Sequence, residues 1–138
     1  MKRSTNQGFT LVEVMLVLCL VGVMASLAVP PFFRYLASNE LVTQTDRMVA
    51  DMQYARSLSV ANSQILRFTA TAAGYQVTNP LTGVVIRQNN FSHGLVLDSS
   101  QTADFFPWGM ANQKVFNLHG NAGTKRITLL PTGLVEVQ

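Results

Sequence analysis

Glu13 is the one side chain able to do chemistry at the mouth of an otherwise inert stretch. Between Val14 and Phe33 there is no Asp, Glu, Lys, Arg or His. About 20 such residues suffice to cross a bilayer as a helix. An ionised acid at mid-membrane costs roughly 2.5–3.5 kcal/mol on insertion scales, so this carboxylate is expected to have a function and a cationic partner. Ahead of it lies a short basic leader, Met1-Lys2-Arg3-Ser4-Thr5-Asn6-Gln7-Gly8, followed by Phe9-Thr10-Leu11-Val12. Hydrolysis of the Gly8–Phe9 bond would create an α-amino group on Phe9, one helical turn from Glu13. That amine can pair with Glu13 within one chain or across to a neighbour, offsetting the cost of burying the acid.

An ordinary secretory signal also has a basic start, an apolar stretch and a small-x-small cleavage site. Lys2, Arg3, Val14–Val23 and Ser26-Leu27-Ala28 fit that description. Against it, the apolar run continues through Phe32 and Phe33, and Glu13 stands where such signals avoid charge. A signal anchor that never assembles is a further reading of the same residues. The segment Gly8-Phe9-Thr10-Leu11-Val12-Glu13 resembles the class III signal of type IV pilins and type II secretion pseudopilins, over roughly Lys2 to Phe33. The resemblance implies that a prepilin peptidase cuts after Gly8 and methylates the new N-terminus of Phe9. It also implies that Glu13 docks on the amine of a neighbouring subunit during filament assembly.

The elements that must position these residues follow from periodicity. Residues 9–33 form an expected transmembrane and assembly helix, with a kink at Pro30-Pro31, since a proline removes a helical hydrogen bond. Phe32, Phe33 and Tyr35 would form an aromatic belt at the far interface, with Arg34 just outside. Helical pattern resumes from Arg34 to about Ala61. Leu41, Thr45, Met48, Met52, Ala55 and Leu58 make one apolar stripe at three- and four-residue spacing, with Glu40, Gln44, Asp46, Arg47, Asp51 and Arg56 on the other sides. At 1.5 Å per residue, Phe9 to Ala61 would be ~80 Å long.

After Ala61 the period becomes alternating. Strands are expected at Gln64–Thr71, Tyr75–Thr78, Val84–Gln88, Leu95–Asp98, Val115–Leu118, Arg126–Leu130 and Leu134–Val137. Turn signals separate them at Ala73-Gly74, Asn79–Gly83, His93-Gly94 and Pro131-Thr132-Gly133. Residues 101–112 show no clear period; Phe105, Phe106 and Trp108 there belong to a core or a packing surface. The expected fold class is α+β: one long N-terminal helix, half membrane and half amphipathic, packed on a C-terminal antiparallel sheet. The domains are a cleaved leader (1–8), the assembly helix (9–33) and a head (34–138) outside the cytoplasm. A head of about 75 residues beyond the helix buries a thin core and gains from packing on its own helix. Asp51–Ser59 leading into a strand, and Leu129-Leu130-Pro131-Thr132-Gly133 near the end, are similar to minor pseudopilins of the H type and to related minor pilins of type IV pili. Many pilins close a C-terminal loop with a disulfide; Cys19, the lone cysteine, excludes one here.

Composition excludes several function classes. The chain has 138 residues and a formal charge of +3, but Lys2 and Arg3 lie in the leader. Without them, eight basic residues face seven acidic ones, too mild for a concentrated nucleic-acid face. His93 and His119 are far apart and have no Cys, Asp or Glu at metal-ligand spacing. No nucleophile elbow, phosphate loop or paired acid is present, so neither catalysis nor a cofactor is expected. Asn90-Phe91-Ser92 matches a glycosylation acceptor only as a three-residue pattern. The resemblance implies a structural subunit near the tip of a type II secretion pseudopilus or type IV pilus. Its partners would be the prepilin peptidase, other major and minor pilins or pseudopilins, and an inner-membrane assembly platform. The chain would begin as a single-pass bacterial inner-membrane protein. The alternative is a DNA-binding minor pilin acting in natural transformation, with Lys114, Lys125 and Arg126 as nucleic-acid contacts.

Overall fold

A computed structural model describes residues 9–138 apart from His93, with backbone alone at residues 28–30. The chain divides into two compact units, the first ending at Tyr35 and the second running from Leu36 to Gln138. One helix, α1 (Leu11–Ala61), contributes to both.

Within the first unit α1 has nothing to pack on. Its large apolar side chains are exposed from Leu11 to Leu27 and again from Phe32 to Tyr35, on every side of the helix. The segment is long and apolar enough to cross a membrane. Helix is continuous across Pro30 and Pro31, so any kink there does not interrupt α1. Each proline still lacks an N–H, so the carbonyls of Ser26 and Leu27 lose their ladder donors.

In the second unit the remainder of α1 lies against two four-stranded antiparallel sheets. The strands are β1 (Leu66–Thr71), β2 (Gly74–Thr78), β3 (Val85–Asn90), β4 (Val96–Leu97), β5 (Gln101–Phe105), β6 (Lys114–Gly120), β7 (Gly123–Leu129) and β8 (Val135–Val137). Their orders are β3-β2-β1-β5 and β4-β6-β7-β8. The stripe expected from spacing is the buried one: Leu41, Thr45, Met48, Met52 and Ala55 are inaccessible, and Leu58 packs at the margin. The sheets answer with alternate residues, Leu66, Phe68 and Ala70 on β1, Phe116 and Leu118 on β6, and Ile127 and Leu129 on β7. Phe68 joins the layers, its ring centroid 5.1 Å from Tyr75 in its own sheet and 5.8 Å from Phe116 in the other.

Three expectations need correction. Residues 101–105 form a strand, β5, pairing with β1 so that Arg67 faces Asp104. Its alternation is carried by only Ala103 and Phe105 on the buried side, too few to stand out in the sequence. Gly74 belongs to β2 and not to the preceding turn. It is glycine for a different reason, since a Cβ there would collide with the backbone of Asn89 and Asn90 on β3. Asp51, assigned to the solvent side of α1, is buried. Its Oδ2 accepts the Tyr75 hydroxyl at 2.8 Å and its Oδ1 lies 3.2 Å from Arg87. The acid is tolerated because β2 and β3 supply both partners. Arg87 in turn sits 4.3 Å over the ring of Tyr54, one turn further along α1. The His93-Gly94 turn falls partly outside the described residues; Gly94 itself has φ 86°.

Candidate functional site

The N-terminal site is built by a helix cap. Thr10 stands just before α1, and its Oγ1 accepts the backbone N–H of Glu13 at 3.2 Å. The Val14 N–H bonds to the Thr10 carbonyl, also at 3.2 Å. Thr10-Leu11-Val12-Glu13 thus has the spacing of a capping box, an N-cap hydroxyl with an acid three residues on. The cap fixes Glu13 in the first turn, where unpaired N–H groups and the helix dipole favour a negative charge. Phe9 remains outside the helix and is 84% exposed. Gly8 lies outside the described residues. Among the described residues no cation forms an ion pair with Glu13. A carboxylate held at the end of an apolar, uncovered helix can bind an amine brought by another molecule.

The second constellation lies where α1 ends. Arg56 Nε donates to the carbonyl of Gly109 at 2.9 Å, tying α1 to the loop after β5. That loop is tied in turn to the β7–β8 hairpin by Ala111 N–H to Pro131 O, 3.0 Å. Gly133 closes the hairpin with φ 75°, and its N–H bonds to Leu130 O at 2.9 Å. A Cβ on Gly133 would come within 2.5 Å of Gly109 O and 2.6 Å of Arg56 Nε. The Ala55-Arg56-Ser57 segment and the Pro131-Thr132-Gly133 turn, far apart in sequence, are one three-way joint. Spacing alone does not reveal Arg56 as its centre, because the residue's acceptor is a backbone carbonyl.

The basic residues do not converge. Lys125 and Arg126 are consecutive on β7 and point to opposite faces, Lys125 sharing the parity of the buried Ile127 and Leu129. Arg126 faces outward, its Nε 3.4 Å from Asn117 Oδ1. Lys114 pairs with Leu129 at the far end of the β6–β7 ladder, whereas Lys125 pairs with Leu118. No single basic face results.

His119 lies on β6, at the surface, and joins three strands. Its Nε2 is 2.5 Å from Asp98 Oδ1 and its Nδ1 is 2.7 Å from Thr124 Oγ1. The Asp98 contact is an ion pair when the ring is protonated. His119 and then Asn117, through its Nδ2 at 3.2 Å, hold the Asp98 carboxyl below the usual carboxylate range. The group pins the short edge strand β4 to β6. Both members of the pair are well exposed.

Residues 3–29 match the prokaryotic N-terminal methylation motif, and residues 44–133 match the family described as type II transport protein GspH. The type IV major fimbrial protein FimA of Dichelobacter nodosus is 27% identical over 140 residues, covering 95% of this chain and 78% of its own. A crystal structure of the type IV minor pilin FimU of Pseudomonas aeruginosa superposes with a TM-score of 0.64 at 18% identity, over 75% of this chain and 92% of that one. A second crystal form of FimU gives 0.59 at 16% identity. At these identities the two structures speak for the fold: a long N-terminal helix on an antiparallel sheet head. With the capped Glu13, the uncovered apolar helix and the Arg56–Gly133 joint on the matched segments, the chain belongs to the GspH family of type IV pilin-like minor pilins and pseudopilins.

Proposed function

We propose that this chain is a non-catalytic subunit of a type II secretion pseudopilus or type IV pilus, cut after Gly8 and methylated on Phe9, with its place near the filament tip. The head lies outside the cytoplasm and the apolar part of α1 anchors the subunit in the inner membrane until it is extracted into the fibre. Partners are the prepilin peptidase, an assembly platform and other pilins or pseudopilins. The observation that carries this reading is Glu13, capped by Thr10 at the start of a helix with no other charge before Arg34. Its acid is what a free α-amine on a neighbour would neutralise, and removing the leader creates such an amine on every subunit. An outermost tip subunit has nothing above it to supply an amine, so Glu13 assigns this chain a position with a neighbour beyond it.

The test has two arms. Mass spectrometry of the mature chain should find N-methylated phenylalanine at its start, and Gly8→Leu should leave the full-length precursor in the membrane. Glu13→Val should be cut normally yet enter sheared fibres at a small fraction of the wild-type level. Wild-type incorporation of Glu13→Val would remove the docking role.

A further inference from the structure

Three turns of the head meet at the end where α1 enters it. Residues 72–73 join β1 to β2, 91–95 join β3 to β4, and 121–122 join β6 to β7. The Phe91 N–H bonds to Ala73 O at 2.9 Å, tying the first turn to the second. Gln44 Nε2 donates to Ser92 Oγ at 2.9 Å, tying the second to α1. A Cβ on Gly94 would lie 3.2 Å from Asn121 Nδ2, and one on Gly120 2.5 Å from Leu95 Cδ2 and 3.6 Å from Leu41 Cδ1. The turns thus form one rim around Leu41 and Gln44, set before any partner arrives. Residues 71–74, 88–97 and 120–124 contain no Asp, Glu, Lys or Arg. Ala72, Ala73 and Ala122 are exposed and Val96 is 51% exposed. Phe91 is half-buried, its ring centroid 5.9 Å from that of Tyr75. Phe91, Val96, Ala72 and Ala73 border a shallow basin of about 400 Å³. The charges that follow or precede these segments are engaged elsewhere, Arg87 by Asp51 and Asp98 by His119. A rim without ionised groups gives up little hydration when it meets another surface.

The chain's own tether identifies what covers this rim. The uncharged run from Val14 to Phe33 ends three residues before Leu36, where the second unit begins. Within that unit Leu41 lies about 7.5 Å further along α1, and Gln44 about 12 Å. The headgroup layer outside the hydrocarbon is roughly 5–8 Å deep on each side. A short tether of this kind keeps the rim beside one lipid surface at high effective concentration. The other end of the head, where Arg56 holds Gly109 and Trp108 is 68% exposed, lies about 18 Å beyond Gln44 along α1. We infer that the head rests on the membrane through the rim of residues 72–73, 91–96 and 121–122, with Phe91 and Val96 against the lipid headgroups. The contact fixes which way the head faces while the subunit waits in the membrane. It rests on the proposed anchoring by α1 and adds the face through which the head meets lipid.

The test is quenching of single tryptophans in the full chain, purified alone into phosphatidylethanolamine–phosphatidylglycerol vesicles that carry a headgroup-nitroxide lipid. Trp108 is the sole tryptophan and reports on the far end of the head. Ala73→Trp, Val96→Trp and Ala122→Trp, each combined with Trp108→Phe, put a reporter at an exposed site on the rim. Each should lose at least about half of its emission, roughly fivefold more than Trp108 loses, because only the rim reaches the headgroup layer. Loss at any of the three no greater than at Trp108 overturns the inference, whether the head stands off the membrane or lies on its side. Leu18→Trp with Trp108→Phe, in vesicles of acyl-brominated lipid, tests the anchoring separately. A quenched Leu18→Trp beside unquenched rim reporters sinks only the headgroup contact, whereas an unquenched Leu18→Trp sinks the membrane reading on which the contact depends.

Discussion

Gly133 and Gly83 share a backbone conformation and differ in surroundings, which separates two costs usually merged. Both have positive φ, 75° and 70°, where an L side chain is strained by about 1–2 kcal/mol. A Cβ at Gly83 meets open space, whereas one at Gly133 meets Gly109 O and Arg56. Gly83→Ala should therefore lose about 1 kcal/mol, and Gly133→Ala roughly 2–4 kcal/mol as the three-way joint opens, read from denaturant unfolding of the two variants. A second prediction concerns Tyr75, whose hydroxyl is pushed up from its ordinary value by burial, and also by Asp51, against the opposing hydrogen bond from Asn89. The raised value means that the fold favours the neutral phenol. Its contribution is complete below about pH 10 and lost as pH climbs toward the raised folded value, by up to about 1.4 kcal/mol per pH unit. Tyr75→Phe should remove that alkaline component, so stability measured from pH 9 to 11 should fall less steeply than in the wild type; parallel profiles would contradict the assignment. The Thr10 cap became visible only in the structure, whereas the position of Glu13 ahead of an uncharged run was readable without coordinates. Asp51 and Asp98 were not, because the partners that make them structural lie 24 and 21 positions away, on strands whose register only folding supplies.

At the scale of elements, the amphipathic part of α1 was legible because its apolar spacing matches the one face the sheets cover. Strands with three or more inward apolar residues, such as β1, were legible for the same reason. Strand β5 was hidden, since its outward Asp104 has meaning only across the ladder, where Arg67 binds it through Nε at 2.7 Å and Nη2 at 2.9 Å. The start of α1 depends on a single hydroxyl. Replacing an N-cap threonine by alanine costs about 1 kcal/mol, while serine keeps the acceptor. Thr10→Ala should thus raise amide exchange across Leu11–Val14 of the full chain in micelles about fivefold, and Thr10→Ser should leave it near wild type. Equal exchange in both variants would mean that lipid packing, not the cap, sets where the helix begins.

For the whole molecule, the division at Tyr35 separates two kinds of cohesion. The first unit offers apolar side chains with no protein cover among the described residues, which is the surface that the proposed lipid anchoring and subunit packing would cover. The second unit carries the continuous core, from Leu41 and Met48 on α1 through Phe68, Phe105 and Phe116 to Ile127 and Leu129. It holds together with no disulfide, Cys19 lying in the first unit. A core that draws on one helix face and both sheets should melt as one transition, because removing any layer exposes the other two. The chain from Leu36 onward should therefore be soluble without detergent and unfold cooperatively. Its midpoint should lie within a few degrees of that of the full chain in micelles if the head's own core carries its stability. Two well-separated transitions within the head would show that the sheets fold apart. A midpoint lower by more than about 10 °C would show that residues before Leu36 help to hold the head, placing the true boundary further up α1.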